Sequence, residues 1–146
     1  VFDAMKFRAE AYDQAVSALI EDVYARGLDK RVLVVVTGEF GRTPKISYAA
    51  STGAGNASAP AGTSQPGRDH WPRAGFALFS GGGFRTGQVI GQTNRFGEHP
   101  VNLQHDPHDI LATIYKHLGI DHTQEFLDAQ GRPIPLTRGT PIRELI

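Results

Sequence analysis

The chain has 146 residues, with 15 Lys and Arg balanced by 15 Asp and Glu and no cysteine. That length suits one domain with a core of its own, and the neutral balance leaves no electrostatic footprint for nucleic acid or an anionic membrane. The lack of cysteine excludes disulfides, thiolate metal sites and a cysteine nucleophile, and no apolar run approaches the ~20 residues of a membrane span.

The chain opens at Val1 without an initiator Met, shows no signal peptide and runs directly into helical periodicity, which points to a fragment. From Phe2 to Arg26, apolar residues Met5, Ala9, Tyr12, Val16, Leu19, Ile20 and Val23 recur at steps of three and four, the stripe of an amphipathic helix. Asp3 is its expected N-cap and Gly27 its stop. The helix is read as scaffold packed on a sheet.

Val32–Pro44 (VLVVVTGEFGRTP) is the stretch around which the rest is organised. Its β-branched run shows no period-2 alternation, as expected for a strand covered on both faces of a parallel sheet. Ligands in such sheets bind beyond the carboxyl ends of the strands. Glu39 and Arg42 emerge there, in a loop punctuated by Gly38 and Gly41. The same two residues also suit a solvated ion pair in a turn.

After Pro44 the composition changes. Tyr48 to Gly67 is nearly all Ala, Gly, Ser, Thr and Pro, a flexible loop of residues 48–67 hanging over the site. It ends in Gly67-Arg68-Asp69-His70-Trp71-Pro72, where Asp69 and His70 offer an oxygen and an imidazole nitrogen, the donor types that suit Zn²⁺ or Mn²⁺. A lone histidine is equally an ordinary hydrogen-bonded side chain.

Ala74–Phe79 reads as a second buried strand, ended by Ser80-Gly81-Gly82-Gly83. No Gly-Lys-Ser/Thr follows, so the glycines serve a tight turn and not a phosphate loop. Gln88–Thr93 suggests a short strand. Asp106 to Leu118 carries the clearest helix signature, with Asp106 as N-cap, Pro107 at the first position, Asp109 in the first turn and Gly119 as stop. Its expected apolar face is Ile110, Leu111, Ile114, Tyr115 and Leu118, leaving His108 and His117 exposed. His99, His105 and His108 have a zinc-like spacing, but a proline interrupts it and no second ligand cluster lies near. Residues 121–146 read as an extended tail on the domain edge.

Taken together, TGEFGRTP, GRDHWP, a strand with a glycine turn and HDILATIYKHLGID resemble a bacterial family of unknown function placed near the sulfatases in the alkaline phosphatase superfamily. The resemblance covers most of the chain. It implies an α/β fold of mostly parallel sheet with flanking helices, of which residues 1–146 are a partial, C-terminal domain. Where that superfamily has Ser-Asp-His-Gly at a strand end, this chain has Gly38-Glu39-Phe40-Gly41, so Glu39 takes the acidic position and Phe40 cannot coordinate a metal. His70 matches a later metal ligand, with Asp69 on the same or a neighbouring ion. The nucleophile, by the same resemblance, lies on a strand preceding Val1, so residues 1–146 alone are expected to be inactive. Export to the periplasm or outside the cell is implied as well.

The expected function is metal-dependent hydrolysis of a sulfate or phosphate ester. Glu39, Asp69 and His70 would hold a divalent ion (Zn, Ca, Mg or Mn), with Arg42 and Arg68 clamping the anionic group. The alternative is a binding module that has lost hydrolysis and recognises an anionic saccharide or an envelope partner. Oligomeric state is open.

Overall fold

The computed structural model describes residues 2–54 and 59–146, with the backbone alone for residues 2–4. Helix α1 (Phe2–Ala25) leads into β1 (Leu33–Thr37), followed by β2 (Gly41–Arg42), β3 (Ser47–Ala50), β4 (Ser64–Gly67), β5 (His70–Trp71) and β6 (Ala77–Gly81). Beyond them come β7 (Gln92–Thr93), β8 (Pro100–Asn102), helix α2 (Pro107–His117), β9 (Glu125–Leu127) and β10 (Pro133–Pro135).

Between Leu33 and Gly81 the described residues contain no helix, and this decides how the strands pair. Parallel neighbours need a long crossover, usually helical; a run of strands and turns can only double back. It does so in three nested tiers, β1 with β6, β2 with β5 inside them and β3 with β4 innermost, all antiparallel. The segment is one long interrupted hairpin. The expected mostly parallel α/β sheet of alkaline phosphatase/sulfatase-like type is therefore corrected: among the described residues there are two helices and five two-stranded antiparallel sheets. The unbroken apolar run did mark a strand. Missing alternation, however, reports cover on both faces and carries no information about strand direction. In this narrow ribbon, Leu33 to Val36 are only half-buried.

The nesting also organises the Ala/Gly/Ser-rich segment. Its ends are zipped by β3 and β4 from Ser47↔Gly67 to Ala50↔Ser64, and the Ser51 amide continues the ladder onto the Thr63 carbonyl at 2.8 Å. Residues 55–58 of this loop lie outside the described residues.

α1 stops at Gly27, whose φ of 66° lets the Leu28 amide reach back to the Val23 carbonyl at 2.9 Å. The expected Asp3 cap lies outside the described side chains. The apolar stripe is covered only near its end: Val23 is buried, while Met5, Tyr12 and Leu19 are exposed. A helix of 24 residues is about 36 Å long, whereas two strands span only about 10 Å. Its C-terminal part alone can rest on β6.

At α2, Asp106 caps the amides of His108 and Asp109 while the Asp109 carboxylate returns a bond to the Asp106 amide, a capping box. The buried face differs from the expected one. Ala112 and Thr113 are fully buried, and Leu111 and Leu118 are exposed. The reason is the C-terminal segment, which crosses the helix on that side. The Ile142 amide donates to Thr113 Oγ1 at 2.9 Å, and the Thr140 amide to Asp109 Oδ1 at 2.8 Å. Gly139 lies so close that a Cβ would collide with the His108 backbone. The tail thus supplies Ile142 and Leu145 to the buried core beside Val23 and Ala112. Its earlier part folds into the β9–β10 hairpin. His108 is exposed as expected, with Nδ1 3.2 Å from Thr137 Oγ1. His117 is half-buried, edge-on to Phe84 with centroids 5.3 Å apart.

Candidate functional site

The β2–β5 ladder brings the two chemically loaded stretches together, with Gly41 opposite Trp71 and Arg42 opposite His70. Gly41 is required by space: a Cβ there would run into the Ala74 carbonyl. The two arginines clasp the strands to each other. Arg42 Nη1 donates to the Arg68 carbonyl at 3.2 Å, and Arg68 answers with Nη2 to the Arg42 carbonyl at 3.2 Å and Nε to the Thr43 carbonyl. Thr43 completes the clasp. Its amide donates to the Asp69 carbonyl at 2.9 Å and its hydroxyl oxygen accepts the Asp69 amide at 3.0 Å.

The expected donors leave this ladder in different directions. Successive residues of an extended strand face opposite sides. The His70 imidazole lies against the Phe40 ring, with centroids 4.0 Å apart and planes inclined by 37°. The Asp69 carboxylate instead accepts from the Ser47 hydroxyl at 3.4 Å. Glu39 is exposed on the bend before β2 and lines a groove that neither Asp69 nor His70 reaches. Among the described residues no group of three or more His, Asp or Glu side chains is gathered to hold a metal ion. Glu39, Asp69 and His70 therefore do not converge on a single ion.

The groove has a volume of about 650 Å³ and runs from the Gly38–Gly41 bend along β6 to the start of α2. Phe40, Phe76, Arg73 and Arg85 are on its walls. Arg73 is held over the Trp71 indole at 5.7 Å. Trp71 is itself anchored, its Nε1 donating to the Glu98 carbonyl at 2.6 Å. Glu98 is fixed by Asn94, which accepts its amide at 2.8 Å and donates to its carboxylate at 2.9 Å. Trp71 is the only tryptophan of the chain, and its distant carbonyl partner leaves no local signal in the sequence. The glycine turn after β6 is present, with φ of 76°, 64° and 73° at Gly81, Gly82 and Gly83.

His105 sits apart from this ladder, where the groove meets α2. Its Nδ1 lies 3.4 Å from Asp109 and its Nε2 4.0 Å from Glu144, whereas His108 turns to Thr137. Burial works to raise the Asp109 pKa, but the amides of Thr140 and Asp106 and the His105 imidazole outweigh it, and the carboxyl lies below its usual range.

Comparison with known proteins settles the family. The family described as "Protein of unknown function (DUF1501)" matches residues 1–146. The chain belongs to the DUF1501 family. Neither a curated protein nor a solved structure matches it. Among the described residues of this DUF1501 chain, no helix is long and apolar enough to cross a membrane.

Proposed function

We propose that this chain forms part of a metal-dependent hydrolase of sulfate or phosphate esters, its nucleophile supplied, as the resemblance implies, from outside residues 1–146. The observation that carries the reading is the Arg42↔His70 register, which brings two distant stretches together and sets the Arg42 and Arg68 guanidiniums beside the His70 strand. The resemblance of TGEFGRTP and GRDHWP to the sulfatase-like motifs supports it. A divalent ion would supply Lewis-acid charge at an ester oxygen. Because Glu39, Asp69 and His70 diverge, these three do not close around it, and no bond-breaking step is assigned through it. Arg42 and Arg68 keep N–H groups beyond those bonded to carbonyls, and these orient an anionic group. The neighbouring groove receives the organic part of the ester.

A second reading, recognition of an anionic saccharide without hydrolysis, is favoured by the Phe40 ring over His70. Titration of the full-length protein with Zn²⁺ and Mn²⁺, followed by turnover assays on aryl sulfates and phosphate esters, separates the two. Metal uptake with turnover supports the hydrolase. A folded, metal-free protein that retains sulfated polysaccharide without turnover supports the binding module.

A further inference from the structure

The short strand β5 is held by different means at its two ends. On the near side, His70 follows directly on Arg68 and Asp69, which the clasp ties to Arg42 and Thr43. On the far side the ladder to β2 stops at the Gly41↔Trp71 pair, because Pro72 has no amide hydrogen to extend it. The anchor there is a side chain, the Trp71 indole, which donates to the Glu98 carbonyl at 2.6 Å. Neighbouring side chains of an extended strand face opposite sides. The rotation of β5 that seats the indole on that carbonyl therefore also sets the direction of the His70 imidazole, which lies against Phe40.

Glu98 belongs to the turn between β7 and β8. Two backbone bonds close this turn, from the Asn94 amide to the His99 carbonyl and from the Gly97 amide to the Asn94 carbonyl, both at 3.0 Å. Neither involves Glu98. The Asn94 side chain holds that residue instead: its Oδ1 accepts the Glu98 amide at 2.8 Å and its Nδ2 donates to the Glu98 carboxylate at 2.9 Å. One half-buried side chain thus grips Glu98 at two points and fixes the carbonyl that Trp71 uses.

We propose that Asn94 is a positioning residue for His70, acting through the Glu98 carbonyl and the Trp71 indole. What His70 does once positioned rests on the ester reading, whereas its orientation does not. Asn94→Ala leaves both backbone bonds of the turn available, so the hairpin still closes while Glu98 loses its grip.

The test is nuclear magnetic resonance of the full-length protein, isotope-labelled at histidine and tryptophan. The His70 imidazole signal, identified by its loss in His70→Gln, carries the ring-current displacement imposed by Phe40, and Phe40→Ala shows where it falls without that ring. Asn94→Ala is expected to move the Trp71 indole N–H signal, identified by its loss in Trp71→Phe, and to move the His70 signal toward its Phe40→Ala position. Trp71→Phe keeps an aromatic ring and drops the N–H; it moves the His70 signal the same way, and decides the matter where Asn94→Ala fails to fold. Asn94→Asp sets two carboxylates against each other and acts like Asn94→Ala. The combined Asn94→Asp, Glu98→Gln variant exchanges donor and acceptor within the pair and restores both signals. A turn that only supports the fold would lose thermal stability in Asn94→Ala and leave the His70 signal in place. That result overturns the proposal, as does a double variant that fails to restore the signals. Turnover is read apart: if the unaltered protein hydrolyses neither aryl sulfates nor phosphate esters while the two signals move together, the ester reading falls and the positioning stands.

Discussion

The Phe40 ring packs against the imidazole of His70, with centroids 4.0 Å apart, while His70 itself stays exposed. The residue that stands where the sulfatase-like pattern has its histidine is thus the one that packs on one side of the candidate ligand. Phe40→Ala removes that packing from one side of the imidazole. Acylation of His70 by diethyl pyrocarbonate is expected to accelerate several-fold, read by peptide mass spectrometry; an unchanged rate would mean the ring does not shield it.

Gly41→Ala forces a methyl group into the Ala74 carbonyl. Backbone cannot give way as a flexible side chain does, so a loss of about 2–3 kcal/mol in urea unfolding is expected. Gly67→Ala is the control, because a Cβ there meets nothing within 4 Å. Its effect should stay within about 0.5 kcal/mol.

Arg68→Lys keeps the charge and loses the planar fork that reaches the Arg42 and Thr43 carbonyls together. A cost of about 1–2 kcal/mol is expected. The Asp69 and Thr43 amides should exchange with solvent faster, by hydrogen exchange, while those of α2 are unaffected.

Thr113→Val preserves shape and leaves the Ile142 amide without its acceptor in a buried position. Such a donor costs about 1–3 kcal/mol. Denaturant unfolding checks the size, and protection should fall first in the C-terminal segment.

Asp109 sets the acid limit of the α2–tail junction. Its folded pKa is depressed, so the ionised form contributes stability that is fully present above the unfolded value of about 3.9 and is lost as pH falls through the lower folded value. Asp109→Asn should lower stability at neutral pH and flatten its pH dependence below about pH 4, measured by thermal unfolding at stepped pH. A variant retaining the full acid slope would assign that slope to other carboxylates.

Much of this organisation could be read from local chemistry. Asp106, Pro107 and Gly119 delimit α2 because caps act on their own amides and carbonyls, and Gly81 to Gly83 turn the chain because only glycine adopts those φ values readily. Val32 to Val36 announced a strand but not its direction, which depends on what connects it to β6. For the same reason the buried face of α2 differs from the one its apolar stripe suggests: Ala112 and Thr113 are buried because a segment almost thirty residues later crosses there, as the Ile142 to Thr113 bond records. At the site, both motifs were visible as acid and arginine clusters at strand boundaries. That Arg42 and Arg68 grip each other's main chain, and that Asp69 and His70 face apart, follows from a ladder no local pattern encodes.

The most direct test of the ester reading is kcat/KM for aryl sulfates and phosphate esters, with Zn²⁺ or Mn²⁺ supplied, in the full-length protein that contains this chain and in its Glu39→Ala, His70→Ala double variant. Turnover in the unaltered full-length protein that the double variant loses is the predicted result. Equal turnover in both, or none in either, would contradict it.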